Sequence, residues 1–103
     1  MLKKVLGEKL GTVEVTFELT PAVVADSAAV VGDFNDWSVD ADKMERGDDG
    51  AFRRTIELEL GRHYRFRYVI DGERWVNAWD ADDYVANDYG GDDSVVRTDD
   101  VGE

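Results

Sequence analysis

Apolar and polar residues alternate with a period of two along much of the chain. Val13, Val15, Phe17 and Leu19 alternate with Glu14, Thr16 and Glu18, the pattern of a strand with one face buried and one wet. Pro21 closes it, because proline cannot donate to a ladder. A short apolar run from Ala28 to Val31 predicts a second strand, leading into Gly32-Asp33-Phe34-Asn35-Asp36-Trp37, where Asn35-Asp36 is turn chemistry. Asp48-Asp49-Gly50 marks a reversal between a short strand near Met44 and a longer one from Phe52 to Leu60. Gly61 breaks the chain again. The next strand carries Tyr64, Phe66, Tyr68 and Ile70 on one face and Arg65 and Arg67 on the other. Asp71-Gly72 is a hairpin signal, and Arg74-Trp75-Val76 returns alongside. A loop rich in Asp, Asn and Gly is expected from Asn77 to Asp93, then a last strand from Ser94 to Thr98. No stretch has a convincing helical period. About seven short strands separated by turns predict an all-β sandwich. One domain is expected over residues 11–98, with flexible segments at 1–10 and 99–103.

Composition agrees with a folded domain. The 103 residues are 43% hydrophobic and 11% aromatic with a single proline, which excludes a disordered chain. There is no cysteine, so neither disulfides nor thiolate metal sites enter. No apolar run approaches the roughly 20 residues of a membrane span, and the basic N-terminal stretch lacks the apolar core of a secretion signal; a cytoplasmic protein is the expectation. Charge narrows the ligand class. Twelve basic residues against 24 acidic ones leave a net −12, and 16 of the acids are Asp. That field repels nucleic acid and anionic membranes. The acidic surface is read as a solvated shell rather than a calcium site, and neither metal nor cofactor is expected. Neutral ligands remain, sugars foremost.

The residues that break the in-out pattern carry the chemistry. Trp37 follows a turn three residues after Phe34, Arg67 lies on the face opposite Phe66 and Tyr68, and Trp75 lies just past the Asp71-Gly72 hairpin. Strand pairing can bring all three onto one wet surface. Such a surface suits a sugar: indole offers a large apolar plane for pyranose C–H groups, and guanidinium offers donors in a rigid fork for hydroxyls. Periodicity alone leaves each indole open between core and surface, and leaves Arg67 open between an ordinary solvated residue and a ligand contact.

The run Val31-Gly32-Asp33-Phe34-Asn35-Asp36-Trp37-Ser38 resembles the G-x-F-N-x-W segment of family-48 carbohydrate-binding modules. These include the glycogen-binding domain of the AMP-activated protein kinase β subunit and the early-set domains of isoamylase-type and branching enzymes. Gly61 to Trp75 is similar to the family's G-x-H-x-Y-K-F-x-V-D-G-x-W stretch, and Asn87 to Val96 to its closing loop and strand. The resemblance covers residues 12–98, with the three motifs in the family's order, and the chain looks most like the short free-standing bacterial members. The resemblance implies an immunoglobulin-like early-set sandwich and a site for α-1,4-glucan such as glycogen or starch. It implies that Trp37 and Trp75 cradle the sugar, that Arg67 stands where the family has a lysine bonded to hydroxyls, and that Tyr89 takes the place of the apolar residue pressed on the ring. Asp93 stands where the family has asparagine, which keeps the acceptors and loses the amide donors. His63, the single histidine, matches a residue that opens the strand and is read as structural.

Three functions follow as expectations. The first is non-catalytic binding of α-1,4-linked glucan. The alternative is a protein-interaction module docking on a separate glucan-active enzyme or regulator, with a weak or vestigial sugar site. An enzyme is not expected. Glycoside hydrolysis needs two carboxylates about 5–10 Å apart across a cleft, and Asp80, Asp82, Asp83, Asp92 and Asp93 are placed in an open loop.

Overall fold

In the computed structural model, which describes residues 3–20, 26–78, 81–87 and 91–99, the alternating segments become strands and no helix occurs among the described residues. The strands are β1 (Lys3–Leu6), β2 (Thr12–Leu19), β3 (Ala28–Gly32), β4 (Glu45–Arg46), β5 (Phe52–Glu59), β6 (His63–Ile70), β7 (Arg74–Val76), β8 (Asp83–Ala86) and β9 (Asp92–Arg97). They build two antiparallel sheets, one ordered β1-β2-β5-β4 and one ordered β3-β6-β9-β8, with β7 also paired to β6. This is the all-β sandwich that the strand pattern predicts, with nine strands among the described residues rather than about seven, and it is consistent with the immunoglobulin-like form that the resemblance implies. Nothing among the described residues is a helix long and apolar enough to cross a membrane.

The inward positions of both sheets meet in one core. Val13, Val15, Phe17 and Leu19 of β2, with Phe52 and Leu58 of β5, face Ala28 and Val30 of β3, Phe66, Tyr68 and Ile70 of β6, and Val96 of β9. Phe17 is the keystone of this layer. Its ring centroid lies 5.0 Å from Phe66 of the opposite sheet and 5.5 Å from Phe34, and Phe66 in turn meets Tyr68 edge-on at 5.7 Å. On the outer face of the first sheet, cross-strand polar pairs do the matching: the Thr16 and Thr55 hydroxyls lie 2.7 Å apart, and Arg53 Nε donates to Glu18 at 2.6 Å.

The structure departs from the sequence reading in two places. Lys3–Leu6, expected to fray, forms β1 and pairs along its length with β2. Lys4 anchors it across the sandwich on the Asp82 carboxylate, a contact between residues 78 positions apart that no local pattern announces. The expected loop from Asn77 to Asp93 contains β8, and β9 starts at Asp92 rather than Ser94. The Asp-rich composition hides β8, whose Tyr84 and Val85 suit a strand and whose register is set by β9. The acids thought to lie open to water are paired as well: Asp82 with Lys4, Asp83 with Arg97, and Asp93 with Arg67. Pro21, Asp80, Tyr89 and the tail beyond Asp99 lie outside the described residues.

Several surface carboxylates are held in their charged form. The Arg53 guanidinium, with the Ala51 N–H, lowers Asp49 to about 2. The N–H groups of Ser27 and Asp26 lower Asp71, those of Tyr84 and then the Arg97 side chain lower Asp83, and His63 lowers Asp99. Each native value lies below the unfolded one of about 3.9. Their stabilisation is therefore complete above that value and lost as pH falls through the native values. Neutralising part of the net −12 relieves self-repulsion in the opposite direction at milder pH. Thermal melts followed by circular dichroism should hold or rise slightly from pH 7 to about 5 and fall steeply between about pH 4 and 2, and Asp71→Asn should flatten that fall.

Candidate functional site

The outer face of the second sheet is organised by the register of β6. Arg65, Arg67 and Val69 alternate with the core residues Phe66, Tyr68 and Ile70. Trp75 of β7 pairs with Val69, and Val95 of β9 pairs with Arg65. Both therefore share the outer face. Asp93 lies two residues before Val95, just beyond the Phe66–Ser94 pair, and so comes beside Arg67.

β7 and β9 run along the same edge of β6, one beyond the other. Asn77 splices them: its Oδ1 accepts from the Ser94 N–H at 3.0 Å and the Ser94 hydroxyl at 2.9 Å, and its Nδ2 donates to the Asp92 carbonyl at 2.6 Å. The Ala78 N–H closes the junction on Ser94 Oγ at 2.9 Å. At the hairpin tip Asp71 has φ 54°, and its carboxylate accepts from the Asp26 and Ser27 N–H groups. This ties the β6–β7 turn to the start of β3 and fixes the strand that carries Trp75.

Trp37 arrives from the other side, on the turn after β3. Gly32 begins this turn because nothing larger fits: a Cβ there would stand 2.4 Å from the Arg65 carbonyl oxygen and 3.0 Å from Phe66 Cβ. The Gly32 carbonyl accepts from the N–H groups of Asn35 and Trp37 at 3.1 and 3.0 Å. Asp36 and Trp37 are both left-handed, with φ of 55° and 59°, an uncommon state for any side chain and more so for a bulky one. Phe34 packs towards the core, 6.1 Å from Tyr64, and Trp37 turns outward. Its indole N–H reaches Asp33 Oδ1 at 3.3 Å, while Asp33 Oδ2 accepts from the Arg65 N–H at 2.9 Å.

These elements enclose an open cleft of about 530 Å³ lined by Asp33, Trp37, Arg65, Arg67, Trp75, Asn87 and Asp93. Trp75 is 45% exposed, and Trp37 is partly buried. At the centre Arg67 Nε donates to Asp93 Oδ1 at 3.0 Å, and a terminal nitrogen donates to the Asp92 carbonyl at 2.6 Å. Asn87 Nδ2 also donates to Asp93 Oδ1, at 3.2 Å, and Arg65 stands 3.9 Å from Oδ2. The Asp93 side chain is only 10% exposed, so its charge is buried but matched by Arg67. The cleft thus combines two indole surfaces with a fixed guanidinium, a carboxylate and an amide. Its two acids and two arginines balance on a chain whose net charge is −12.

Four of the residues singled out from sequence, Trp37, Arg67, Trp75 and Asp93, line this one cleft; Tyr89, the fifth, lies outside the described residues. His63 is engaged elsewhere, with Nε2 2.8 Å from Asp99. Asp33, Arg65 and Asn87 were missed. Arg65 was legible as the outer-face neighbour of Arg67, and Asp33 and Asn87 sit inside the motifs. Their roles depend on partners more than 30 residues away for Asp33 and on the end of β8 for Asn87.

A small antiparallel sandwich with an aromatic-lined cleft on one sheet belongs to the class of β-sandwich binding modules. The model of the carbohydrate-binding module 48 (isoamylase N-terminal domain) family matches residues 8–90, and the chain belongs to that family. A comparison with curated proteins returns no match.

Proposed function

We propose that the cleft binds α-1,4-linked glucan of the glycogen or starch type without acting on it. The observation that carries this reading is the meeting of Trp37, Trp75, Arg67 and Asp93 in one open cleft. Two pyranose faces would stack on the indoles. The N–H groups of Arg67 that bond neither Asp93 nor Asp92, and the rim of the Asp93 carboxylate, would exchange hydrogen bonds with hydroxyls, and Tyr89 would add a further apolar contact. Asp93 keeps the acceptor of the asparagine it replaces, and the Asn87 amide beside it donates to that carboxylate. Both carboxylates of the cleft are engaged by N–H donors of the protein, which supports a binding role for them. Affinity for short oligosaccharides should be modest, on the order of −4 to −6 kcal/mol, because an open cleft covers only part of each sugar. Native gels containing glycogen should retard the protein, and Trp37→Ala should migrate as if glycogen were absent. Equal retardation of a folded Trp37→Ala variant would remove Trp37 from the site.

A docking role is favoured by one separate feature. Leu6 at the end of β1 and Leu10 and Leu60 on two adjoining turns are exposed at 57, 104 and 42%, and the turns are joined by the Leu60 N–H to the Gly11 carbonyl. Capture of a glucan-active enzyme that is indifferent to added maltoheptaose and lost in Leu10→Ser would support this second reading.

A further inference from the structure

Arg54 breaks the alternation of β5. It pairs with Phe17 in register and so takes a position on the core-facing side, where Phe52 and Leu58 are buried. Its guanidinium does not turn to water alone. Nε donates to Asp42 Oδ1 at 3.1 Å, and a terminal nitrogen lies at the same distance. The other Asp42 oxygen accepts from Asn35 Nδ2 at 2.9 Å, and the same amide donates to the Val30 carbonyl at 3.0 Å. Asn35 Oδ1 accepts from the Gly32 N–H at 3.0 Å, and the Val30 N–H donates to the Asp42 carbonyl at 3.1 Å. A continuous polar strut thus runs from the first sheet, through Asp42, into the turn that bears Trp37 on the second.

That turn requires support. Two consecutive left-handed residues, Asp36 and Trp37, persist only where the surroundings over-determine them. Asn35 fixes the start of the turn through three hydrogen bonds, and Asp42 holds Asn35 from behind with a carboxylate 15% exposed. A nearly buried carboxylate needs a cation, or the polar junction weakens. Among the described residues, the cation bonded to it is Arg54.

We propose that Arg54 and Asp42 are positioning residues for Trp37: an ion pair anchored on the opposite sheet pre-sets the indole plane before the ligand arrives. The inference rests on the glucan reading for its consequence and on the network alone for its structural part. Without the strut, the ligand must order the turn itself, and that cost appears as lost affinity.

The test uses the full chain with Arg54→Met, which keeps an apolar stem and removes the charge, Asp42→Asn as a second break of the same pair, and Arg54→Lys as partial rescue. Indole N–H signals are followed by NMR without sugar, with the three tryptophans assigned by single Trp→Phe variants. In Arg54→Met and Asp42→Asn the Trp37 signal should shift or broaden while that of Trp75 stays in place, and maltoheptaose affinity should fall by about 2- to 10-fold, the ordering cost of one side chain. Arg54→Lys should recover part of both. An unchanged Trp37 signal in either folded variant overturns the proposal, as does equal disturbance of both indoles. If Arg54→Met fails to fold, Asp42→Asn decides alone. If the wild-type protein binds no maltoheptaose, the glucan reading fails and the sugar-free indole signals still decide the positioning role.

Discussion

Trp75→Ala should reduce maltoheptaose affinity at least tenfold while leaving the melting temperature nearly unchanged. The indole stands 45% exposed on the outer face of β7 and lies outside the core cluster between the sheets. An aromatic side chain of this size presents roughly 150–250 Å², and one sugar covers only one side of it. Removing about 60–100 Å² of apolar contact from the complex, at roughly 25 cal/mol per Å², costs about 1.5–2.5 kcal/mol. That is a factor of roughly 10 to 60, enough to take a modest affinity out of the measurable range. Stability should move by no more than about 0.5 kcal/mol, as for other exposed substitutions. Isothermal titration beside a thermal melt reads both numbers. A destabilised variant with intact affinity would mean that Trp75 is a packing residue.

Phe17→Ala should have the reverse signature, a large loss of stability from a residue that touches no part of the cleft. Phe17 is fully buried, and it joins the two sheets through Phe66 and the site turn through Phe34. Truncating a buried phenylalanine costs about 3–5 kcal/mol, transfer and cavity terms together. A domain of this size has a total stability of about 5–15 kcal/mol, so the variant would lose a large share of it. A fall in melting temperature on the order of 20 °C is expected, measurable by circular dichroism or calorimetry. A fall of only a few degrees would show that the core collapses around the vacancy and that Phe17 is not the element holding the sheets together.

How much of this was legible in the sequence depends on where each residue finds its partner. Strands β2 and β6 were readable because one face is wet and the other dry, so alternation reports burial directly. Strand β1 was not, because Lys3-Lys4-Val5-Leu6 lies at a sheet edge with little buried on either face, and its order comes from main-chain pairing with β2. The cleft was legible in outline. Arg67 and Trp75 follow from strand alternation and a hairpin, both local rules. Trp37 did not follow from periodicity, since its outward direction depends on two left-handed residues held by Gly32 and Asn35. Asp93 read as a loss of donors when considered alone; paired with Arg67, 26 positions away, and flanked by Asn87 it is part of a matched set. Arg54 was not singled out from the sequence, because its partner, Asp42, sits in a turn whose course no pattern defines.

The central claim is that Trp37 and Trp75 are surfaces for a curved α-linked glucan rather than packing for the sandwich. An α-1,4 chain bends from one residue to the next and can lay successive rings on two indoles, whereas a β-1,4 chain stays extended and flat. NMR titrations with maltoheptaose and cellohexaose, run side by side on the indole N–H signals, test this most directly. The account predicts saturable shifts of Trp37 and Trp75 with maltoheptaose and none of comparable size with cellohexaose. Indole signals that ignore maltoheptaose, or that respond equally to both sugars, would contradict it.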